Sequence, residues 1–104
     1  MNELNCKYIL TDDLNNFNKL MDEVDILNDN DYGKAYSIHK TALRQYDRWS
    51  YILFQIRVNE GKDIPKNPAL KDRIAQILKM IDNAYVSARM VWSKAKDDIT
   101  GGKY

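Results

Sequence analysis

Residues 68–97 read PALKDRIAQILKMIDNAYVSARMVWSKAKD, and the fold follows from their period. Leu70, Ile74, Ile77, Ile81, Ala84, Ala88, Val91 and Ala95 alternate steps of four and three, a heptad seam held over nearly four repeats. Leu78, Tyr85 and Trp92 recur every seven residues beside it as a second apolar row. A helix with two apolar rows needs two neighbours. The preceding helix covers one row, and the other faces the first helix or another subunit. Asn67 stands where an N-cap belongs, with Pro68 at the first helical position, where its missing N–H costs nothing.

Working back from this seam, a second helix is expected over about Asp31 to Glu60. Tyr32, Tyr36, His39, Leu43, Tyr46, Leu53 and Ile56 form its apolar stripe, widened by Trp49, Ile52 and Phe54. Gly61 follows directly and suits the left-handed residue that ends a helix. The connection from Gly61 to Asn67 is short, so the two helices form an antiparallel hairpin, each arm roughly 45 Å long at 1.5 Å per residue. A first helix is expected from about Asp12 to Val24, with Leu14, Phe17, Leu20, Met21 and Val24 on one face. Thr11 is its expected N-cap, with Asp12 and Asp13 at the positive end of the helix dipole. Asn28-Asp29-Asn30-Asp31 closes it and offers caps to the next helix. The fold class is therefore all-α: one helical domain over residues 1–99 and a flexible tail over 100–104. The first helix is too short to cover such a hairpin, so the remainder is expected to serve self-association, the chain assembling through its helix faces.

The composition agrees with one modest core: 104 residues, 44% hydrophobic, with only four Gly and two Pro to interrupt long elements. Cys6 is the single cysteine and forms no internal disulfide, which fits a reducing compartment. The opening MNELNCKYILTDD lacks the basic and apolar regions of a signal peptide. The longest apolar run, Tyr51 to Phe54, falls far short of the ~18 residues a membrane span needs. A cytoplasmic location and no membrane partner are the expectations. The formal net charge of +1 hides an asymmetry: residues 1–31 carry −6 and residues 32–104 carry +7. The two parts either complement each other, within the fold or between subunits, or leave a basic face free for nucleic acid.

Few residues invite catalysis, and no cofactor or metal is expected. His39 is the only histidine and sits on an apolar stripe, so a structural role is expected and a zinc site of the usual kind is out of reach. Asp29 to Gly33 resembles the start of a calcium loop, but its glycine falls at the fifth position and Lys40 occupies the twelfth, where a glutamate belongs. Asp22, Glu23 and Asp25 read as a solvated or partner-facing acidic face. The only Gly-Gly pair lies in the tail, so no phosphate loop supports ATP hydrolysis. Lys40, Arg44 and Arg48 are the more informative set. Steps of four place them on one helical face, a pitch able to follow a phosphate backbone, with Tyr46 and Trp49 nearby. Lys94 and Lys96 form a smaller set near the end of the third helix, where they also favour its dipole.

As an ordered string of motifs, residues 16–92 resemble the small subunit of the terminase of tailed bacteriophages, in a family found with many cohesive-end packaging systems. Asn16-Phe17 through Leu27-Asn28-Asp29-Asn30-Asp31 is similar to that family's first helix and the Asp opening the next. Tyr46-Asp47-Arg48-Trp49 resembles its Tyr-x-Arg-Trp segment, Glu60-Gly61 with Asn67-Pro68-Ala69-Leu70 its Glu-Gly turn and Asn-Pro-x-Leu, and Ser87-Ala88-Arg89 its Ser-x-Arg. Two departures stand out. The chain begins acidic where members often carry a basic arm, and Asn83-Ala84-Tyr85-Val86 replaces the usual Gly-x-x-Pro, so the third helix should continue. The resemblance implies a non-enzymatic subunit that forms a homo-oligomer, a ring in this family. Such a subunit binds double-stranded phage DNA at the packaging-initiation region and recruits the large terminase subunit, which supplies ATPase and nuclease, in the cytoplasm of the bacterial host. Lys40, Arg44 and Arg48 are then the first DNA-contact candidates, ahead of Lys94 and Lys96. The competing reading is a small helical inhibitor or immunity-type protein that blocks a partner enzyme. A blander one is a helical oligomerisation module of a larger assembly.

Overall fold

The computed structural model describes the backbone of residues 4–100 and the side chains of residues 4–94. Three helices follow in order: α1 (Thr11–Asp25), α2 (Tyr32–Asn59) and α3 (Pro68–Thr100). No strand occurs among the described residues, only an isolated bridge between Glu60 and Ile64. The α2–α3 pair is the long hairpin the period required, and the molecule measures 59 × 25 × 17 Å. Its break-free α3 passes through Asn83-Ala84-Tyr85-Val86 and reaches Thr100. Of the tail expected over 100–104, Thr100 thus closes α3, and residues 101–104 lie outside the described residues.

The hairpin's turn is built as its residue types dictate. Gly61 adopts φ 80°, and its N–H donates to the Ile64 carbonyl at 2.7 Å. Asn67 caps α3, its Oδ1 accepting from the Leu70 N–H at 3.1 Å. Across the turn, the Lys71 ammonium meets the Glu60 carboxylate at 2.9 Å. A Cβ added at Gly61 would meet only Lys66 Cε, at 3.7 Å, so the cost of a side chain there is conformational. Gly61→Ala is expected to destabilise by about 1–2 kcal/mol, the left-handed penalty of an L-residue, read as a lower denaturant midpoint with an unchanged slope.

The seam of α3 is buried from Leu70 to Ala88, with Leu70, Ile74, Ile77, Ile81, Ala84 and Ala88 each at most 4% exposed, whereas Val91 is half-buried and the side chain of Ala95 lies outside the described residues. The stripe expected on α2 is buried in its C-terminal half, at Trp49, Ile52, Leu53 and Ile56, but not in its N-terminal half. Ala35, Ile38, Ala42, Trp49, Ile52, Leu53 and Ile56 form the core face, while Tyr36, Leu43, Tyr46 and Phe54 are exposed. Over the N-terminal half the buried positions are Ala35, Ile38 and Ala42, and the bulkier aromatics lie at the rim. Tyr85 and Trp92 of the second row of α3 meet that rim, and Leu78 packs against the core. Trp92 stacks on His39 with ring centroids 5.3 Å apart and touches Tyr36 at 5.6 Å, and Tyr85 lies 5.9 Å from His39.

α1 lies against the other side of the hairpin. Asp13 meets Arg48, the Asn16 carbonyl accepts from Gln45, and Glu23 shares a cleft with Ser37. This order makes α1 antiparallel to α2. Phe17 and Leu20 are its buried anchors, Phe17 packing edge-on against Trp49 at 6.3 Å. Short as α1 is, residues 4–9 extend the cover toward the turn. Leu4 is buried, Tyr8 and Ile9 pack against the core, and Lys7 and the Tyr8 hydroxyl both engage the Asp63 carboxylate. Thr11 proves to be the first helical residue, not the cap; the extended residue before the helix is Leu10.

Candidate nucleic-acid interface

Of the row Lys40, Arg44 and Arg48, the structure commits one member elsewhere. Arg48 Nε and Nη2 each donate to an Asp13 carboxylate oxygen at 3.0 Å, and the Leu10 N–H donates to Oδ2 at 2.9 Å. Asp13 is only 8% exposed. Burial pushes its carboxyl pKa up, but the Arg48 guanidinium and the Leu10 N–H outweigh that and hold it below the ordinary carboxylate value. Arg48 is raised in turn by the hydrogen bond to Asp13. A guanidinium held in this fork ties α1 to α2, so its first role is structural and its charge is already matched. Trp49, expected near the cations as an aromatic neighbour, is 1% exposed and belongs to the core.

Lys40 and Arg44 remain available. Both are exposed. Arg44 lines a cleft of about 450 Å³ between α1 and α2 with Lys19, Glu23 and Gln45, and its Nη2 makes only a long contact of 3.5 Å to Thr41 Oγ1. The Gln45 amide donates to the Asn16 carbonyl at 2.9 Å, while its Oε1 is buried at this cleft without a hydrogen bond. Lys40 holds its ammonium 5.5 Å from the centre of the Tyr36 ring. Tyr36 also contacts Trp92, so Lys40 and the C-terminal part of α3 share one end of the hairpin. Lys94 is exposed there, beside Arg89 and Met90. The side chain of Lys96 lies outside the described residues. His39 is built into the aromatic cluster, its Nδ1–H donating to the Tyr36 carbonyl at 2.7 Å.

The charge asymmetry is thus partly resolved within the fold. The acidic α1 lies along the Arg44–Arg48 side of α2, and Lys40 lies on the outer side. The pairing had a sequence signal: Asp13 precedes Phe17 by four and Leu20 by seven, placing it on the buried face of α1 and requiring a cationic partner. Among the described residues no group of three His, Cys, Asp or Glu side chains is arranged to hold a metal ion. What the surface offers is fixed positive charge next to partly exposed rings, which favours polyanions by electrostatics and stacking.

No family model, curated protein or solved structure matches the chain. The resemblance to terminase small subunits therefore rests on the quoted motifs alone. Arg48 and Trp49 of the Tyr-x-Arg-Trp segment are the tie to α1 and the centre of the core, so that segment reports the fold more than a ligand. No helix among the described residues is long and apolar enough to cross a membrane.

Proposed function

We infer that the chain is a non-catalytic DNA-packaging subunit of the terminase type. In this reading it self-associates, binds double-stranded phage DNA and presents itself to a large subunit that performs the chemistry. The observation that carries this reading is the pair of exposed cations Lys40 and Arg44, one helical turn apart and without carboxylate partners among the described residues, on a two-helix support. Lys94 at the same end of the hairpin extends the positive surface. Arg48 is left out of the contact set because it is spent on Asp13.

The test is fluorescence anisotropy with a mixed-sequence duplex over a series of salt concentrations. The double variant Lys40→Glu with Arg44→Glu is expected to weaken binding at low salt by tenfold or more and to reduce the salt slope by about two, while leaving the helical content intact. Equal affinities for the double variant and the native chain would remove both residues from the interface. A native chain without duplex affinity at low salt would overturn the reading. The exposed groove of Leu43 and Tyr46 beside Tyr85 favours the second reading, a small helical protein that blocks an enzyme, since apolar grooves suit protein partners. Binding of a single protein partner without DNA affinity would establish that alternative.

A further inference from the structure

The outward side of α3 carries an unusual surface for a solvent-facing helix. Val86 is 47% exposed and Met90 68%, with Arg89, Ser93 and Lys94 around them. Directly beside this patch, Leu43 and Tyr46 of α2 form a groove with Ile81, Asp82 and Tyr85. Leu43, Tyr46, Val86 and Met90, the exposed apolar side chains of patch and groove, together present roughly 300–400 Å², the size at which a patch on a monomer is commonly functional.

The charges on this side say what fits it. Asp82 is the only carboxylate between residues 79 and 94, and no ion pair or hydrogen bond within the described residues engages it. Arg89 lies over the Tyr85 ring and donates to the Tyr85 hydroxyl at 2.7 Å, with no carboxylate partner among the described residues. Asp82 and Arg89 are equally far from the midpoint between Tyr85 and Val86. A second α3 running antiparallel about a two-fold axis through that midpoint sets Asp82 of each copy opposite Arg89 of the other. It also brings the two Val86 side chains together, with Met90 of each copy over the Asn83 side of its mate. A parallel copy in the same register sets like charges against each other.

We propose that two copies of this chain pair through the outer face of α3 in this antiparallel arrangement, held by two reciprocal Asp82–Arg89 ion pairs around a Val86–Met90 seam. The arrangement goes beyond the DNA-packaging reading, because it needs only this chain and its charge pattern. The apolar area is below the roughly 800 Å² per partner of a standard interface, so the dimer dissociates on dilution.

Sedimentation velocity and native mass spectrometry of the full chain test it, with circular dichroism to confirm that each variant stays helical; both substituted residues are exposed. The native chain is expected as a concentration-dependent dimer. Asp82→Arg and Arg89→Asp, taken singly, replace both attractive pairs with like-charge contacts and are expected to weaken dimerisation by tenfold or more. The double variant Asp82→Arg with Arg89→Asp restores the dimer, and so does an equal mixture of the two single variants, in which opposite charges meet again. A native chain that stays monomeric at millimolar concentration overturns the proposal. So do single variants that associate like the native chain, or a mixture that stays monomeric. A larger oligomer indifferent to these exchanges places the contact elsewhere and overturns it too. Duplex affinity measured on the same samples judges the DNA reading separately.

Discussion

Trp49→Ala is expected to lower the unfolding free energy by about 3–5 kcal/mol and the melting temperature by roughly 20 °C, the largest loss from any single truncation in this chain. Trp49 is 1% exposed and has the greatest volume among the fully buried side chains. It stands at the junction of all three helices: on α2, edge-on to Phe17 of α1, and within the cluster that contains Ile77 and Ile81 of α3. Its removal deprives Phe17 and Leu20 of the surface they pack on, so the docking of α1 weakens along with the core. A domain of this length has only about 5–15 kcal/mol to lose. Tyr51→Ala is the control, two positions away and 53% exposed, with an expected change within about 0.5 kcal/mol. Equal melting temperatures for the two variants would show that Trp49 does not organise the junction.

The contrast between residues 49 and 51 also shows how far the sequence could be read. The hairpin was legible because its signals are local: the four–three period from Leu70 to Ala88, Asn67 as cap and Gly61 as left-handed terminator. The burial phase of the N-terminal half of α2 was not. A stripe chosen by side-chain size selects Tyr36, Leu43 and Tyr46. The structure instead buries Ala35, Ile38 and Ala42 and leaves the larger rings at the rim. Which of two neighbouring faces is buried depends on packing against another helix, a long-range fact no local period encodes. The N-terminal cover was missed for a related reason. Leu4, Tyr8 and Ile9 are too few to show a period, and their value appears only once Asp63 and the turn are beside them.

The candidate site was legible as a row of cations but not as a set of contacts. Steps of four place Lys40, Arg44 and Arg48 on one side of α2, and the structure keeps them there. A helix of 3.6 residues per turn drifts under steps of four. Lys40 therefore faces outward, Arg44 borders the α1 cleft, and Arg48 reaches α1 itself. The row that looked uniform becomes two cations for a ligand and one for the fold. An acidic first helix followed by a basic body is, at its best-defined contact, a device for docking that helix. Positive charge is left over on the far side of α2 and along α3.

Asp13→Asn should make this docking charge visible as a pH dependence. The native Asp13 carboxyl has a folded pKa below its ordinary value, the Arg48 fork and the Leu10 N–H outweighing the opposing effect of burial. A group depressed on folding stabilises the fold above its unfolded pKa, about 3.9 for aspartate, and that contribution is lost as pH falls through the folded value. Asp63, held low by Lys7 and Tyr8, titrates in the same direction and remains in the variant. At pH 7 the variant is expected to be less stable by about 2 kcal/mol. Asparagine keeps the shape but turns an amide N–H₂ toward the guanidinium, and the loss is smaller than for a fully buried pair because Arg48 is 38% exposed. Below pH 4 the native protein loses the same contribution by protonation, so the two stability curves should converge toward pH 2. Denaturant titrations at intervals between pH 7 and pH 2 measure this directly. Parallel curves would mean that the carboxylate charge does not hold α1 in place. Arg48→Lys should retain only part of the stability at pH 7, since an ammonium cannot span both carboxylate oxygens as the planar fork does.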